Sequence, residues 1–309
     1  MVERVAVLMG GISAEREVSL VSGRQCANAL RDAGYTVQEI DVTADVAALV
    51  AALDPRPDVV FNALHGRYGE DGNIQGLLNL LDIPYTHSGV LASALAMDKA
   101  AAKRQFVTVG IPVAEGRVIG RAEIADGDPL PRPYVVKPVN EGSSVGVLIV
   151  RPGDNKVPPD DLDALPETLL VERYVAGREL TVAIMGANDD DVHALAVTEL
   201  RPKNGFYDFT AKYVDGQTDH LIPAPVDETT YGKAMGHAVA AHRVLGCRGV
   251  TRADFRYDDT DGEPGELVLL ELNTQPGMTP LSLVPEQARY CGIEFNELVS
   301  WMVEQAQCD

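Results

Sequence analysis

The chain has 309 residues, of which 46% are hydrophobic and 23% are charged, and its formal net charge is −20. This length accommodates roughly two domains, and the balance of apolar and charged residues is that of a folded protein. The negative charge argues against nucleic-acid or membrane-surface partners, which are themselves polyanionic. No apolar run approaches the ~18 residues that span a bilayer, and the N-terminal segment lacks a signal-peptide pattern. The sequence therefore predicts a cytoplasmic protein.

The first third of the chain alternates between strand-like and helix-like segments. Short apolar runs predict strands at 5–9, 35–42 and 59–63, and a further short strand that begins at Tyr85. Helical patterns occupy 13–34, with Ser13 as the cap, 44–53 and 74–81. Because strands that alternate with helices form parallel sheets with both faces covered, this part predicts an α/β domain.

The pattern changes near residue 97. A helix is predicted over 97–106, strands near 113–119 and at 134–137, and a loop over 120–133. The stretch 201–220 is polar and lacks periodicity, which in a compact domain indicates a lid or binding loop.

The clearest supersecondary element is a hairpin late in the chain. Strands at 250–257 and 266–273 flank a turn-rich stretch, 258–265. Side-chain alternation predicts an apolar face that carries Ala253, Phe255, Leu270 and Leu272. The same alternation predicts a polar face that carries Arg252, Asp254, Glu271 and Asn273.

This polar face contains groups that can carry chemistry. Carboxylate and amide oxygens are ligands that Mg²⁺ prefers, and a guanidinium can stabilise negative charge that develops in a transition state. A solvated hairpin face with an ion pair explains the same spacing equally well.

Lys137 ends a predicted strand, and a Gly- and Ser-rich loop, 139–146, follows it directly. Gly142 and Gly146 would let backbone N–H groups approach a phosphate. The segment does not match the P-loop pattern, and an ordinary turn after a strand with a surface lysine is the simpler local explanation.

Other candidates are weak when each is considered alone. Glu15 suits the positive end of a helix dipole, and a lone histidine such as His65 is usually satisfied by a neighbour. Glu172 and Glu179 flank a segment that could meet an adenine and ribose, but a turn with exposed acids is the simpler explanation. Lys212 and Tyr213 lie among aromatic residues in the polar loop, which is typical of a flap that excludes water or of a loop anchor.

The order of these segments carries more information than any of them alone. The stretches LMGGISAEREVSL (8–20), ALHGRYGEDGNIQG (63–76), VVKPVNEGSSVG (135–146), FYDFTAKY (206–213) and LLELNTQPGMTPLSLVP (269–285) together resemble the D-alanine–D-alanine ligase family of the ATP-grasp superfamily. The resemblance runs from residue 5 to about residue 300, and its combination of motifs is highly specific.

The resemblance implies a fold that is both α/β and α+β. An N-terminal parallel-sheet, Rossmann-like domain (1–96) would precede a two-lobed ATP-grasp fold. The central lobe would cover 97–181, and the C-terminal lobe would cover 182–309 with the lid loop 201–220. The family also implies a homodimer.

The implied reaction is the ATP-dependent ligation of two D-alanines through a D-alanyl phosphate, for peptidoglycan precursor synthesis. The implied cofactors are ATP and two Mg²⁺ ions, with Mn²⁺ as an alternative metal. By resemblance, the metal ligands are Asp254, Glu271 and Asn273. The implied ATP-binding residues are Lys99, Lys137, Ser144, Glu172, the backbone near Val175, Glu179 and Lys212.

The resemblance also implies catalytic and substrate-binding residues. Glu15 would bind the ammonium of the first D-alanine, His65 its carboxylate side, and Ser282 the carboxylate of the second. Arg252 and the Gly277 N–H would form an oxyanion hole. The implied catalytic set is Glu15, Ser143, Arg252, Gly277 and Ser282, and the implied substrate-binding set is Glu15, His65, Tyr213 and Ser282.

Three alternatives stay open. A related ligase could use D-lactate or D-serine as the second substrate, although D-lactate-preferring relatives carry phenylalanine where this chain has Tyr213. A non-catalytic amino-acid or nucleotide sensor could keep the fold without the chemistry. A dinucleotide-dependent oxidoreductase is the third alternative, because Gly10, Gly11 and Asp41 resemble part of a dinucleotide-binding fingerprint. The GxGxxG pattern of that fingerprint is absent, however.

Overall fold

The computed structural model describes residues 2–142, 146–155, 159–203, 216–279 and 282–309. Its strands form three sheets, one parallel and two antiparallel, and helices pack against them. The protein is therefore a mixed α/β structure. No helix in these ranges combines the length and the apolar character that crossing a membrane requires.

The first part of the chain builds the parallel sheet, in the order β2-β1-β3. Its elements are β1 (Arg4–Gly10), α1 (Arg16–Asp32), β2 (Thr36–Val42), α2 (Val46–Ala52), β3 (Val59–Asn62) and α3 (Asn73–Leu80). This confirms the predicted strand–helix alternation. The strand predicted from Tyr85 is wrong, because only isolated bridges join this residue to Val60 and Gln307.

The next part builds an antiparallel sheet in the order β4-β7-β5-β6. Its elements are α4 (Val90–Met97), α5 (Lys99–Thr108), β4 (Gly116–Gly120), α6 (Arg121–Asp126), β5 (Tyr134–Pro138), β6 (Leu148–Val150), α7 (Pro159–Asp163) and β7 (Thr168–Arg173).

Two predictions for this part are wrong. The predicted loop 120–133 contains α6, because Ile124 is buried in the apolar cluster on this sheet. The predicted helix 97–106 is interrupted near its start. Asp98 is extended and ends α4, and its carboxylate accepts the Ala101 N–H at 2.8 Å and so caps α5.

The last part builds a second antiparallel sheet in the order β10-β9-β8-β11-β12. Its elements are β8 (Arg178–Gly186), β9 (His193–Pro202), β10 (Thr218–Leu221), α8 (Glu228–Val244), β11 (Gly249–Asp258), β12 (Glu266–Asn273), α9 (Leu283–Tyr290) and α10 (Phe295–Glu304). The lid was predicted over 201–220, but β9 and β10 occupy both ends of this range, so the connection between them is shorter. Its residues 204–215 lie outside the described ranges.

Two apolar clusters hold the sheets and helices together. The first joins the second antiparallel sheet to α5 and α8, and Phe106 and Phe255 are fully buried in it. The second joins the parallel sheet to the end of the chain, because Val284 and Val299 pack in one cluster with Val7. Burying each such side chain contributes roughly 1.5–3 kcal/mol. The last helices therefore cover the first sheet and bring its carboxyl ends close to the late hairpin.

Candidate active site

The late hairpin has the polar face that the sequence predicts. Arg252 lies opposite Asn273, and Asp254 lies opposite Glu271, in antiparallel β11 and β12. A β-bulge follows Asp254, so that Phe255 lies opposite Leu269.

The bulge changes the apolar face of the hairpin. Leu267, Leu269 and Leu272 enter the core, and Leu270 is only partly buried. The predicted core position of Leu270 is therefore wrong, because the bulge shifts the alternation of side chains by one residue.

Arg252 and Asp254 form a two-pronged ion pair. The Arg252 Nε and Nη2 atoms lie 2.8 and 2.7 Å from the two oxygens of Asp254. The Thr181 hydroxyl donates a third hydrogen bond to this carboxylate at 2.7 Å. Such a charge-assisted, two-pronged geometry fixes the guanidinium plane, so Asp254 orients Arg252 toward the cleft.

The oxygen atoms of the hairpin fit a hard divalent cation. Asp254, Glu271 and Asn273 supply two carboxylates and an amide on adjacent strands, and the Asn273 Oδ1 accepts the Gln275 N–H at 2.8 Å. Within the described ranges, no three His, Cys, Asp or Glu side chains gather as a complete metal cage. Mg²⁺ is usually bound by one or two carboxylates together with substrate phosphates, and an incomplete protein ligand set suits that mode.

Two lysines approach this hairpin from the central part of the chain. Lys99 begins α5, and its Nζ donates to the Glu141 carbonyl at 2.6 Å and lies 3.4 Å from a Glu271 oxygen. Lys137 lies at the end of β5, and its Nζ is 2.5 Å from a Glu172 oxygen. Burial, and then the neighbouring Lys99, lower the pKa of Lys137 to about 8.

The Glu172 carboxylate holds a second lysine that the sequence analysis missed. Lys103 contacts this carboxylate and also donates to the Ala114 carbonyl at 2.5 Å. Burial, and then Lys137, lower the pKa of Lys103 to about 7. Lys103 follows Lys99 by one helical turn, and this i, i+4 spacing is the signal that could have revealed it. Glu172 is only 3% exposed, so its carboxylate lies between two lysines rather than facing an open cavity.

The segment after β7 forms an apolar wall beside these lysines. Val175 packs with Ala114 and Val268 in a small buried cluster. Arg256, which the sequence analysis also missed, donates to the Val175 carbonyl at 3.2 Å and to the Gly177 carbonyl at 2.8 Å.

Arg256 also lies 3.6 Å from a Glu179 oxygen. Strand alternation places Arg256 on the same face as Asp254, and this spacing in the sequence is the signal that could have revealed it.

The N-terminal part contributes an acidic corner. Glu15 occupies the N-cap position of α1, without a side-chain capping hydrogen bond, and is 8% exposed. The prediction of Ser13 as the cap is wrong, because α1 begins at Arg16. The Ser13 hydroxyl instead donates to the His65 carbonyl at 2.7 Å and accepts the Glu15 N–H at 3.2 Å. The His65 ring lies 3.4 Å from the Ser22 hydroxyl. Burial lowers the pKa of His65, with Glu15 opposing the shift, so the ring is neutral at pH 7.

A loop after β12 closes the far side. The Ser282 hydroxyl accepts the Thr279 N–H at 2.9 Å and lies 2.9 Å from the Thr279 hydroxyl. A Cβ on Gly277 would lie 2.9 Å from the Ser282 Oγ. The glycine therefore lets the Ser282 hydroxyl approach the backbone closely at this point.

Many of these groups line one open cleft. The structure brings together eight of the predicted site residues along its walls: Glu15, His65, Lys99, Arg252, Glu271, Asn273, Gly277 and Ser282. Glu70 and Glu141 also line it and were not predicted, and Gly142, a predicted phosphate-approach position, lines it too. Lys137, Glu172, Val175, Glu179 and Asp254 are not part of this lining. Ser143, Ser144, Lys212 and Tyr213 lie outside the described residues.

Comparisons with known proteins identify the family of this chain. The family model described as D-ala D-ala ligase C-terminus matches residues 106–304, and the one described as D-ala D-ala ligase N-terminus matches 47–88. The chain is 60% identical over 308 residues to the D-alanine–D-alanine ligase of Acidiphilium cryptum, covering 99% of both chains. It is 60% identical over 312 residues to that of Paramagnetospirillum magneticum, with complete coverage of both. It is 57% identical to that of Granulibacter bethesdensis, again over 99% of both. The chain therefore belongs to the D-alanine–D-alanine ligase family.

Proposed function

We propose that this protein joins two D-alanine molecules into D-alanyl-D-alanine, with ATP as the energy source, for peptidoglycan precursor synthesis. The observation that carries the proposal is the single cleft shared by Glu15, Lys99, Arg252 and Glu271. It combines an acid for an ammonium, cations for phosphates, and oxygen ligands for a metal. The ligases that are 57–60% identical along their whole length support D-alanine as the substrate.

The proposed fold is a Rossmann-like domain followed by a two-lobed ATP-grasp fold. The parallel sheet supports the first domain (1–96), and the two antiparallel sheets support the central lobe (97–181) and the C-terminal lobe (182–309). The connection between β9 and β10 serves as the lid. Because an acyl phosphate hydrolyses in water, a closing lid gives the intermediate time to react.

The phosphates of ATP meet the lysine side of the cleft. Lys99 and Lys137 neutralise phosphate oxygens, and Ser144 and Lys212 add contacts from loops at 139–146 and 201–220. The apolar wall at Val175 packs against adenine, and Glu179 binds the ribose. Glu172 acts by holding Lys137 in position.

Asp254, Glu271 and Asn273 would hold two Mg²⁺ ions, or Mn²⁺ in their place. When bound, these ions neutralise charge on the transferring phosphoryl group. Glu271 would contribute its carboxylate to this ligand set.

The amino acids occupy the other side. Glu15 binds the first ammonium and the neutral His65 ring donates toward the carboxylate side, while Ser282 receives the carboxylate of the second D-alanine. Phosphorylation turns the first carboxylate into an acyl donor with phosphate as the leaving group, and the second amine attacks it. The oxyanion meets Arg252 and the Gly277 N–H. Ser143 completes the catalytic set, and Tyr213 completes the substrate-binding set.

A product assay tests this proposal. The protein is incubated with ATP, Mg²⁺ and either D-alanine, L-alanine, D-serine or D-alanine plus D-lactate, and both phosphate and products are measured. We expect D-alanyl-D-alanine and an equal amount of phosphate with D-alanine. Phosphate release without dipeptide would refute ligation, and ATP binding without turnover would favour the sensor alternative.

The D-lactate alternative has its own test. We expect Tyr213→Phe to raise D-alanyl-D-lactate formation relative to dipeptide. An unchanged product ratio would remove Tyr213 as the residue that selects the second substrate.

We also propose that the protein is a cytoplasmic homodimer, as the family resemblance implies. Light scattering of the purified protein, with a mass twice the 33.1 kDa of one chain, tests the assembly.

A further inference from the structure

Glu70 is a buried acid in the cleft that the reaction described above does not use. It lies in the loop between β3 and α3, and its side chain is one of those that line the cleft. The residue is only 8% exposed. The Gly66 N–H donates to its carboxylate, while the Oε2 atom has no hydrogen-bond partner among the described residues. A buried carboxylate oxygen without a partner is costly, so Glu70 has unused capacity to accept a hydrogen bond.

Glu70 and Glu15 border the same small volume. A Cβ on Gly142 would lie 2.9 Å from the Glu15 Oε2 and 3.5 Å from the Glu70 Oε1. A Cβ on Gly66 would lie 2.6 Å from that same Glu15 oxygen. Two glycines from separate segments therefore approach the region between the two carboxylates closely, where an added side chain would collide with Glu15.

The charges around this space favour a cation. Glu15 and Glu271 act on Glu70 as negative charges and Lys99 as a positive one, and Lys99 already contacts the Glu141 carbonyl and Glu271. Burial, and then Glu15, raise the pKa of Glu70 to about 8. Ionising both acids side by side is therefore unfavourable until a cation binds between them.

The chemistry of this space fits an ammonium group better than a metal ion. An ammonium has three N–H donors and no acceptor, so it can serve two carboxylates at once.

We propose that Glu70 is a second ammonium-binding residue, which shares with Glu15 the ammonium group of the first amino-acid substrate. The Glu70 carboxylate accepts one N–H of that group, and Glu15 accepts another. The inference rests on the proposed function, because it identifies the ammonium as that of the first D-alanine. It adds a determinant of specificity, since a substrate without an ammonium leaves two adjacent buried acids without their cation.

The test is a comparison of Glu70→Gln with the unsubstituted enzyme, because glutamine keeps the shape and removes the charge. The KM for the first D-alanine should rise ~10–100-fold, the range expected for one charged hydrogen bond. The KM for ATP should stay unchanged. Inhibition by propionate, which has the carboxylate of D-alanine without its ammonium, should also stay unchanged. An unaltered KM for D-alanine, or an equal loss of propionate and ATP affinity, would overturn the proposal.

The matched control is Glu17→Gln, which removes one charge from an exposed position in the first turn of the same helix α1. It should leave all three constants unchanged. If Glu70→Gln does not fold, Glu70→Asp keeps the charge on a shorter side chain. It should weaken the binding of D-alanine and leave the binding of propionate unchanged.

Calorimetric D-alanine binding separates failure of this inference from failure of the proposed function. If the unsubstituted protein makes no dipeptide, the function fails, and D-alanine binding in Glu70→Gln still decides the role of Glu70. If omitting K⁺ weakens D-alanine binding in the unsubstituted protein and not in Glu70→Gln, the pair holds an inorganic cation and the proposal is overturned.

Discussion

The Nζ atom of Lys99 lies 3.4 Å from a carboxylate oxygen of Glu271. This contact joins the first residue of α5 to the end of strand β12, and the two elements are far apart in the chain. It places Lys99, which we propose binds phosphate, directly beside a proposed metal ligand. A nucleotide phosphate entering the cleft would meet both groups at once, which is the geometry that phosphoryl transfer needs.

Replacing Glu271 with glutamine should therefore stop the reaction. Glu271→Gln keeps the side-chain shape and removes the charge that a divalent cation requires, so we expect kcat to fall at least ~100-fold. Dipeptide formation measures the loss, and circular dichroism checks that the fold is intact. Asp261→Asn, in the exposed turn of the same hairpin, is the control and should retain full activity. Normal turnover in Glu271→Gln would remove this residue as a metal ligand.

ATP binding should take up protons near pH 8. Because the pKa of Lys137 is lowered to about 8, the free enzyme loses this positive charge as the pH rises through that value. Bound phosphates favour the charged form and raise the pKa, so binding draws protons from solution, and the KM for ATP increases above pH 8.

Calorimetry of ATP binding in buffers with different ionisation enthalpies measures this uptake. Lys137→Arg carries a charge at every accessible pH, so its binding heat should depend less on the buffer near pH 8. Buffer-independent heats for the unsubstituted protein would contradict the assignment.

Arg256 should support nucleotide binding without touching the amino acids. It donates to the Val175 and Gly177 carbonyls and lies 3.6 Å from Glu179. Losing these charged hydrogen bonds loosens the segment that the proposal places against adenine and ribose. We expect Arg256→Met to raise the KM for ATP roughly tenfold, with the KM for D-alanine unchanged.

Steady-state kinetics with each substrate varied in turn separates the two effects for Arg256→Met. Arg243→Met, whose guanidinium contacts the Asp189 carbonyl on the surface, is the matched control. Equal increases in both KM values would indicate a general loss of structure instead.

Phe255 should be a major contributor to stability. Its side chain is fully buried between the second antiparallel sheet and its helices, next to Asp254 in the chain. Phe255→Ala removes this packing and leaves a cavity, which typically costs about 3–5 kcal/mol. Urea unfolding measures the change, and Val118→Ala, at a position 45% exposed, should change the free energy of unfolding by less than ~0.5 kcal/mol.

Local patterns in the sequence determined much of this protein. The alternation of apolar segments predicted the parallel sheet, and strand periodicity predicted the shared polar face of Asp254 and Glu271. Both depend on backbone geometry that repeats over a few residues. The sequence also shows which functional groups are available for the reaction, because the kinds of side-chain groups are set by residue type and not by folding.

Only the tertiary structure decided how these groups are paired. The bulge after Asp254 moved Leu270 out of the core, and no residue type in the hairpin predicts a bulge at this position. The contact of Lys103 with Glu172 and the convergence of Glu70 on Glu15 join segments that are distant in sequence. Such contacts depend on how helices and sheets pack together, and packing is a property of the whole chain rather than of any local pattern.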